Sequence, residues 1–376
     1  MASRARALIA ASIASLWIAG CGTDVPLPPT QSEMATSEQH NQVFVDALKP
    51  RHSGKPVIAV LASNEGTEMT DLLLPHAVLV RTGVADVRVV APRSGRVTLY
   101  PALQIDGGQD FASFDRANPA GADYVIVPAM GDGDVPEVIT WLREQVDRGA
   151  RVLAVCSGAL VAGRAGLLDG RRFTGHWYDR DTLLEHAGAT YVPHQRYVID
   201  RGVATTTGIT ASVPATLALV EAIGGREKAQ AIATELGVRS WTPQHDSSRF
   251  GIDVRRGWQY VMNRAAFWRD ETRTIDVHDG VDDVALALAA DAWSRTGHVK
   301  VKVASSSRPV TMRSGLVLVP QALEDDGPRM TLASALGPVR QLDRTLCEIE
   351  ERFGESQREW VMLEMEYTGS AAECAG

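Results

Sequence analysis

Residues 151–177 read RVLAVCSGALVAGRAGLLDGRRFTGHW. An apolar run, Arg151 to Val155, meets a cysteine, Cys156, set between the small residues Ala154 and Gly158, and a helix-like segment begins at once. Small neighbours let the backbone turn sharply, so the side chain at the turn stands above the end of a sheet. The carboxyl end of a buried strand is also where open α/β sheets place their sites. The positive start of the following helix is expected to sit near the sulfur and to favour thiolate over thiol. Cys156 is therefore the candidate nucleophile.

The pattern on either side of this segment is that of an α/β domain over 55–237. Val57 to Leu61 and Tyr124 to Val127 are short continuous apolar runs, as expected for strands covered on both faces. Val87 to Val90 is a further strand. Thr70 to Arg81 has helical spacing, Pro136 to Arg148 reads as a helix with proline near its first turn, and Ser212 to Ile223 and Glu227 to Leu236 read as closing helices. Strands alternating with helices of this length predict a doubly wound, flavodoxin-like parallel sheet with right-handed crossovers.

The runs Val155-Cys156-Ser157-Gly158-Ala159, Ala165-Gly166-Leu167-Leu168-Asp169-Gly170-Arg171-Arg172 and Thr174-Gly175-His176-Trp177 resemble the ThiJ/PfpI superfamily, also called DJ-1/PfpI and class I amidotransferase-like. Within it the resemblance is to the branch of isonitrile hydratase and of the N-terminal domains of AraC-type regulators, whose late loop is similar to Thr206-Thr207-Gly208-Ile209-Thr210. The resemblance implies an acidic residue of the first helix against the cysteine. Glu68 and Asp71 match, and Asp71 is the better match when counted back from Pro75. It also implies oxyanion donors from the loop 128–133, here the N–H groups of Met130 or Gly131, acting with Ser157. Members acting on peptides or glyoxals commonly carry histidine beside the cysteine, where this chain has Ser157, so a protease is not expected. His176 is the nearest alternative base, or else a satisfied structural histidine. No pair of DNA-recognition helices follows residue 237.

The resemblance and the cysteine turn together imply a cysteine-dependent hydratase- or hydrolase-like enzyme acting on a small molecule. The alternatives are a ligand-binding or redox-sensing module that does not turn over, or a relative of AraC-type regulators lacking the DNA-binding domain. His186, His194 and His245 have no zinc-like spacing to another ligand, so no metal is expected. No phosphate-binding glycine fingerprint occurs, and no cofactor is expected. A formal net charge of −8 is a poor footprint for a nucleic-acid partner. A homodimer remains open.

The N-terminus carries Arg4 and Arg6, then an apolar stretch from Ala7 to Ala19, shorter than the roughly 20 residues of a membrane span. It ends in Ile18-Ala19-Gly20-Cys21, which resembles a bacterial lipobox: residues 1–21 are expected to be a lipoprotein signal, with Cys21 lipidated and the chain held at the cell envelope. Residues 22–54 are expected to be a flexible tether, helical at most for a turn or two between Gln39 and Leu48. Cys347 and Cys374 stand either as a pair or as two unrelated thiols. Residues 238–270, rich in tryptophan and arginine, are expected to pack back on the domain as a helical connector, with a partner-binding surface as the alternative. In 271–376 the order Arg295-Thr296-Gly297, Val299 to Val303, Pro309 to Met312, Gly315 to Leu318 follows Arg81-Thr82-Gly83, Val87 to Val90, Val97 to Leu99, Ala102 to Ile105 at an offset of about 214 (295 − 81 = 214). It reads as a degenerate half-domain repeat without the cysteine, or as a chance similarity of two βα units.

Overall fold

The computed structural model describes residues 31–131, 135–253, 256, 270–307, 309–321, 328–333, 335–369 and 374. Cys21 lies outside the described residues, as do Trp258, Tyr260 and Trp268 of the expected connector.

The central sheet carries β10 (Tyr197–Asp200), β11 (Val203–Thr206), β7 (Arg151–Ala154), β6 (Tyr124–Val127), β1 (Val57–Leu61), β3 (Asp86–Ala91) and β5 (Leu103–Asp110) in that spatial order. From β11 to β5 each neighbouring pair is parallel, and β10 closes the edge antiparallel to β11. Alternate residues of β1 feed two cores: Ile58 and Val60 face α2 (Met69–Thr82) and α7 (Ser212–Gly224), while Ala59 and Leu61 face α3 (Phe111–Ala117), α4 (Val135–Asp147) and α5 (Gly158–Arg164). Burial on both faces explains why these strands read as continuous apolar runs. β2 (Thr67–Glu68) and β4 (Gly95–Tyr100) pair beside β5. The short β8 (Arg172–Phe173) and β9 (Thr190–Tyr191) pair with each other around α6 (Arg180–Leu183).

The expected tether is shorter than the sequence suggested. Gln31–Leu48 is helix α1, which packs on α7 and β10 through buried Phe44, Val45 and Leu48. The Phe44 ring lies 4.5 Å from that of Tyr197, and the Tyr197 hydroxyl donates to Asn41 Oδ1 at 2.7 Å. The Leu48 carbonyl accepts the Tyr124 hydroxyl at 2.6 Å, so three apolar anchors and buried polar contacts at Asn41 and Leu48 dock an otherwise hydrophilic helix. In the connector, α8 (Arg226–Leu236) is followed by irregular chain in which buried Trp241 donates through Nε1 to Glu221 Oε2 at 2.8 Å. Cys347 and Cys374 are joined as a disulfide.

The C-terminal region begins with β12 (Glu271–Asp276), α9 (Asp283–Arg295), β13 (Val299–Ala304), β14 (Val310–Thr311), β15 (Val317–Leu318) and β16 (Arg329–Met330). β12 lies between β13 and β16, parallel to both, as β1 lies between β3 and β6. Beyond β16 the chain forms α10 (Arg340–Phe353) and α11 (Glu355–Glu364), and among the described residues no strand takes the place of β7. α9 packs on α2, and β15 extends the central sheet antiparallel to β5.

Candidate functional site

β7 delivers the chain to a turn in which Cys156 takes φ 53°, the left-handed region that a non-glycine residue seldom occupies. α5 starts at Gly158, where a Cβ would stand 1.9 Å from the Val127 carbonyl oxygen, so no side chain fits. The Cys156 N–H donates to Thr206 Oγ1 at 3.1 Å, which fixes the turn against β11. Strain at such a position persists only where the surroundings over-determine it.

The thiol opens into a cavity of 240 Å³ whose walls include Glu68, Tyr100, Met130, His176, Arg295 and Glu364. The first four come from the expected domain, and the last two from the C-terminal region. Sequence reasoning did not place Arg295 or Glu364 here, because nothing local marks a residue whose role depends on the docking of a distant helix.

The thiol is not the thiolate that the sequence suggested. Burial, then the charges of Asp71, Glu68 and Asp179, push it well above the usual thiol range, and the Arg295 cation opposes them. α5 is only seven residues long, so its dipole is weak against three carboxylates. The carboxylates respond in the same sense. Burial, with the neighbouring Asp291 charge, raises Glu68 to about 7 against the pull of Arg295. Burial, then the Glu68 charge, raises Asp71 as well. The resting site is thus rich in protons and poor in charge.

Of the two candidate acids, Glu68 is the one in the cavity wall. Its Oε2 caps α2, accepting from the Asp71 N–H and the Thr70 hydroxyl at 2.7 Å each, and its Oε1 lies 3.3 Å from Arg295 Nη2. Asp71 is fully buried: Oδ2 accepts from the Ala129 N–H at 3.1 Å, and Oδ1 has no hydrogen-bond partner. It sits behind the loop that the Met130 and Gly131 donors were expected to occupy.

Those donors separate. The Gly131 N–H is spent on the Gly66 carbonyl at 2.8 Å, as the Glu68 N–H is on Ala129. Between these two bonds Thr67 and Met130 form a non-hydrogen-bonded antiparallel pair, so the Met130 N–H points away from that ladder. Met130 therefore remains an available donor, and Gly131 does not.

His176 lines the cavity but is not placed to act as a base. Its Nε2 lies 3.0 Å from the Glu364 carbonyl, and its Nδ1 accepts from the Tyr178 N–H at 3.4 Å. That assigns the proton to Nε2 and occupies both nitrogens, and burial lowers the imidazole to about 4. Ser157 donates its hydroxyl to Asp179 Oδ2, a residue that sequence reasoning passed over, and its oxygen stands 3.9 Å from the thiol sulfur. Burial raises the Asp179 carboxyl. Among the described residues no group of three or more His, Cys, Asp or Glu is arranged to hold a metal ion.

The segment after α11 clamps this side of the domain. Glu366, at φ 51°, accepts the N–H of Trp177 at 2.7 Å and of Gly208 at 2.8 Å, and the Leu363 carbonyl accepts Trp177 Nε1–H at 2.9 Å.

Comparison with known proteins points to the same region. Isonitrile hydratase of Pseudomonas putida is 32% identical over 173 residues, 45% of this chain and 73% of the hydratase. The HTH-type transcriptional regulator CdhR of Pseudomonas aeruginosa is 31% identical over 129 residues, but this chain spans only 38% of the regulator's length. A crystal structure of a ThiJ/PfpI family protein from Pseudomonas syringae aligns with a TM-score of 0.48 at 26% identity, covering 58% of this chain and 90% of that one. The pattern that defines the DJ-1/PfpI family matches residues 57–222, which run from β1 through the cysteine turn and into α7. Taken with the extent of the match to the hydratase, this assigns the chain to the DJ-1/PfpI family.

Proposed function

We propose that the chain is a hydratase- or hydrolase-like enzyme in which Cys156 adds to the electrophilic carbon of a small, protonatable molecule. The observation that carries this reading is the strained turn that holds the thiol in a 240 Å³ cavity shared with the Glu68 carboxyl. The thiol holds its proton at rest, and Glu68, at about 7, exchanges its own near neutral pH. As the sulfur–carbon bond forms, Glu68 gives its proton to the substrate, to the same carbon in an isonitrile and to the heteroatom in a nitrile, and the thiol proton restores the carboxyl. Water then displaces sulfur at the same carbon and returns one proton to it, so the sum is one water added. Asp71 positions Glu68 by giving its N–H to the α2 cap, while burial and the Asp291 charge raise the proton affinity of Glu68. The N–H groups of Met130 and Ser157 are the donors for charge that develops on the way.

Such a site does not depend on a free thiolate, and it selects electrophiles that accept a proton. The relative named isonitrile hydratase makes small isonitriles the first substrates to try. Purified wild-type chain is expected to consume one of a panel of alkyl isonitriles, with Cys156→Ser slower by at least about 10²-fold. Equal rates for the two proteins would end the enzyme reading. The high proton affinity of the thiol also favours a second reading, ligand binding without turnover. In that case Cys156→Ser binds the same isonitriles as the wild type and neither consumes them.

We also place the chain at the cell envelope, lipidated on Cys21. The disulfide between Cys347 and Cys374 suits an oxidising compartment. With α1 starting at Gln31, only residues 22–30 separate the docked helix from the lipid, a reach of at most about 30 Å. Native protein is expected to partition into detergent and Cys21→Ala into the aqueous phase. A wild type that stays aqueous removes the anchor.

A further inference from the structure

Where α9 and β15 meet the domain, the contacts join a residue to the counterpart of its own partner. α2 and α9 pack together, and they occupy the same place in the two repeats. Each is capped by a carboxylate from the residue before it. Glu68 accepts the Asp71 N–H at 2.7 Å, and Asp282 accepts the Ala285 N–H at 3.1 Å, both positions offset by 214 (282 − 68 = 214, 285 − 71 = 214). Each helix ends in Arg-Thr-Gly, with the glycine in the left-handed region. The two arginines then cross: Arg81 Nη2 lies 3.0 Å from Asp282, and Arg295 Nη2 lies 3.3 Å from Glu68.

The strands obey the same rule. In the hairpin the offset is 213 (318 − 105 = 213): Ile105 pairs with its own counterpart Leu318, Asp106 pairs with Val317, the counterpart of Gln104, and the N–H of Val319, the counterpart of Asp106, donates to the Gln104 carbonyl at 2.9 Å. A contact in which i meets j while j meets i is the mark of a two-fold interface between like subunits. Here it forms within one chain.

We infer that residues 271–376 stand where a second copy of the domain would stand, and that through Arg295 this half-repeat completes the Cys156 site in cis. Arg295 is a positioning residue. Its guanidinium sits 2.8 Å from Asp291, 3.3 Å from Glu68 and 3.4 Å from Glu364, and lines the cavity wall opposite the thiol's own domain. It gathers these carboxylates and brings a fixed cation to the side of the cavity where Glu68 and Glu364 stand, while Arg164 of α5 lines the same cavity. Arg81, its mirror counterpart, points away from the cavity to Glu235, Asp282 and Asp283.

The inference concerns the site proposed above but does not require turnover. Its test reads the thiol directly, as the rate of Cys156 modification by iodoacetamide against pH in the full chain. Arg295→Ala is expected to move the midpoint upward by about one unit, since the variant removes a cation that borders the thiol's cavity and opposes the carboxylates there. Arg295→Lys should fall between that variant and the wild type. Arg81→Ala removes the mirror ion pair and is expected to leave the midpoint unmoved. An unmoved midpoint in Arg295→Ala, or an equal shift in Arg81→Ala, overturns the assignment.

Mixing separates cis from trans. Cys156→Ser supplies an intact Arg295 and Arg295→Ala supplies the thiol. After the two are unfolded and refolded together, the shifted profile should persist. Recovery of the wild-type profile would mean that Arg295 arrives from another chain, and the inference fails.

Discussion

Arg81 and Arg295 close two helices with the same three residues, and each reaches the first turn of the other's helix, yet only one of them touches chemistry. Around Arg81 the partners are Glu235, Asp282 and Asp283, and the side chain is 5% exposed; Arg295 is 21% exposed and borders an open cavity. The local structures match because the local sequences match. The difference lies in what stands behind each helix. In the domain, β6 is followed by β7 and the cysteine turn, so the carboxylate cap of α2 faces a thiol. In the half-repeat the chain leaves β16 for α10 and α11, and the cap of α9, Asp282, meets Arg81 and Arg313 instead. A motif of this kind specifies a shape, and its neighbours decide whether that shape does work.

The comparison can be sharpened first at the clamp, which runs in one direction only: Glu366 reaches from the C-terminal segment into the domain. Burial raises its carboxyl to about 7 even though it accepts two backbone N–H groups. A carboxyl whose folded pKa lies above its unfolded value of about 4.5 holds stability below that value and loses it as pH rises through about 7. Glu366→Gln carries no charge to bury. Measured by urea unfolding, its stability relative to the wild type should improve by up to about 3 kcal/mol between pH 4.5 and pH 8. A difference that does not change with pH would show that the clamp is solvated.

A smaller effect tests the likeness of the two halves. Gly83 and Gly297 end α2 and α9 at φ 63° and 72°, and a Cβ at either would meet nothing within 4 Å. Gly83→Ala and Gly297→Ala should therefore each cost about 1 kcal/mol, from backbone conformation alone. Unequal losses would break the equivalence of the two helix ends.

Much of this was legible in the sequence. The apolar runs of β1, β6 and β7 announce a sheet buried on both faces, and Cys156 between Ala154 and Gly158 announces the turn. Arg-Thr-Gly and the strands after it are the sequence basis for expecting a repeat. Other features were hidden for physical reasons. α1 looks like tether because only Phe44, Val45 and Leu48 anchor it among polar residues. Asp71 outranked Glu68 by position in the helix, but the capping residue, one step outside the helix, is the one that faces the cavity. The thiol's proton affinity follows from burial and from Asp71, Glu68 and Asp179 converging from separate segments. Asp179, Arg295 and Glu364 gain their roles only when α5, α9 and α11 come together.

The crossed arginines also bear on how this molecule can change over generations. In a true pair of identical subunits every substitution falls on both sides of the axis, so a residue that serves one active centre must also be tolerable beside the other. With both sides written separately into one chain, that obligation is lifted. Asp282 can stay a plain cap while Glu68 lines a cavity with a thiol, and Arg81 can become a strut while Arg295 borders that cavity. The half without a cysteine can drift toward whatever best frames the one centre that remains, and a single mutation there is felt once.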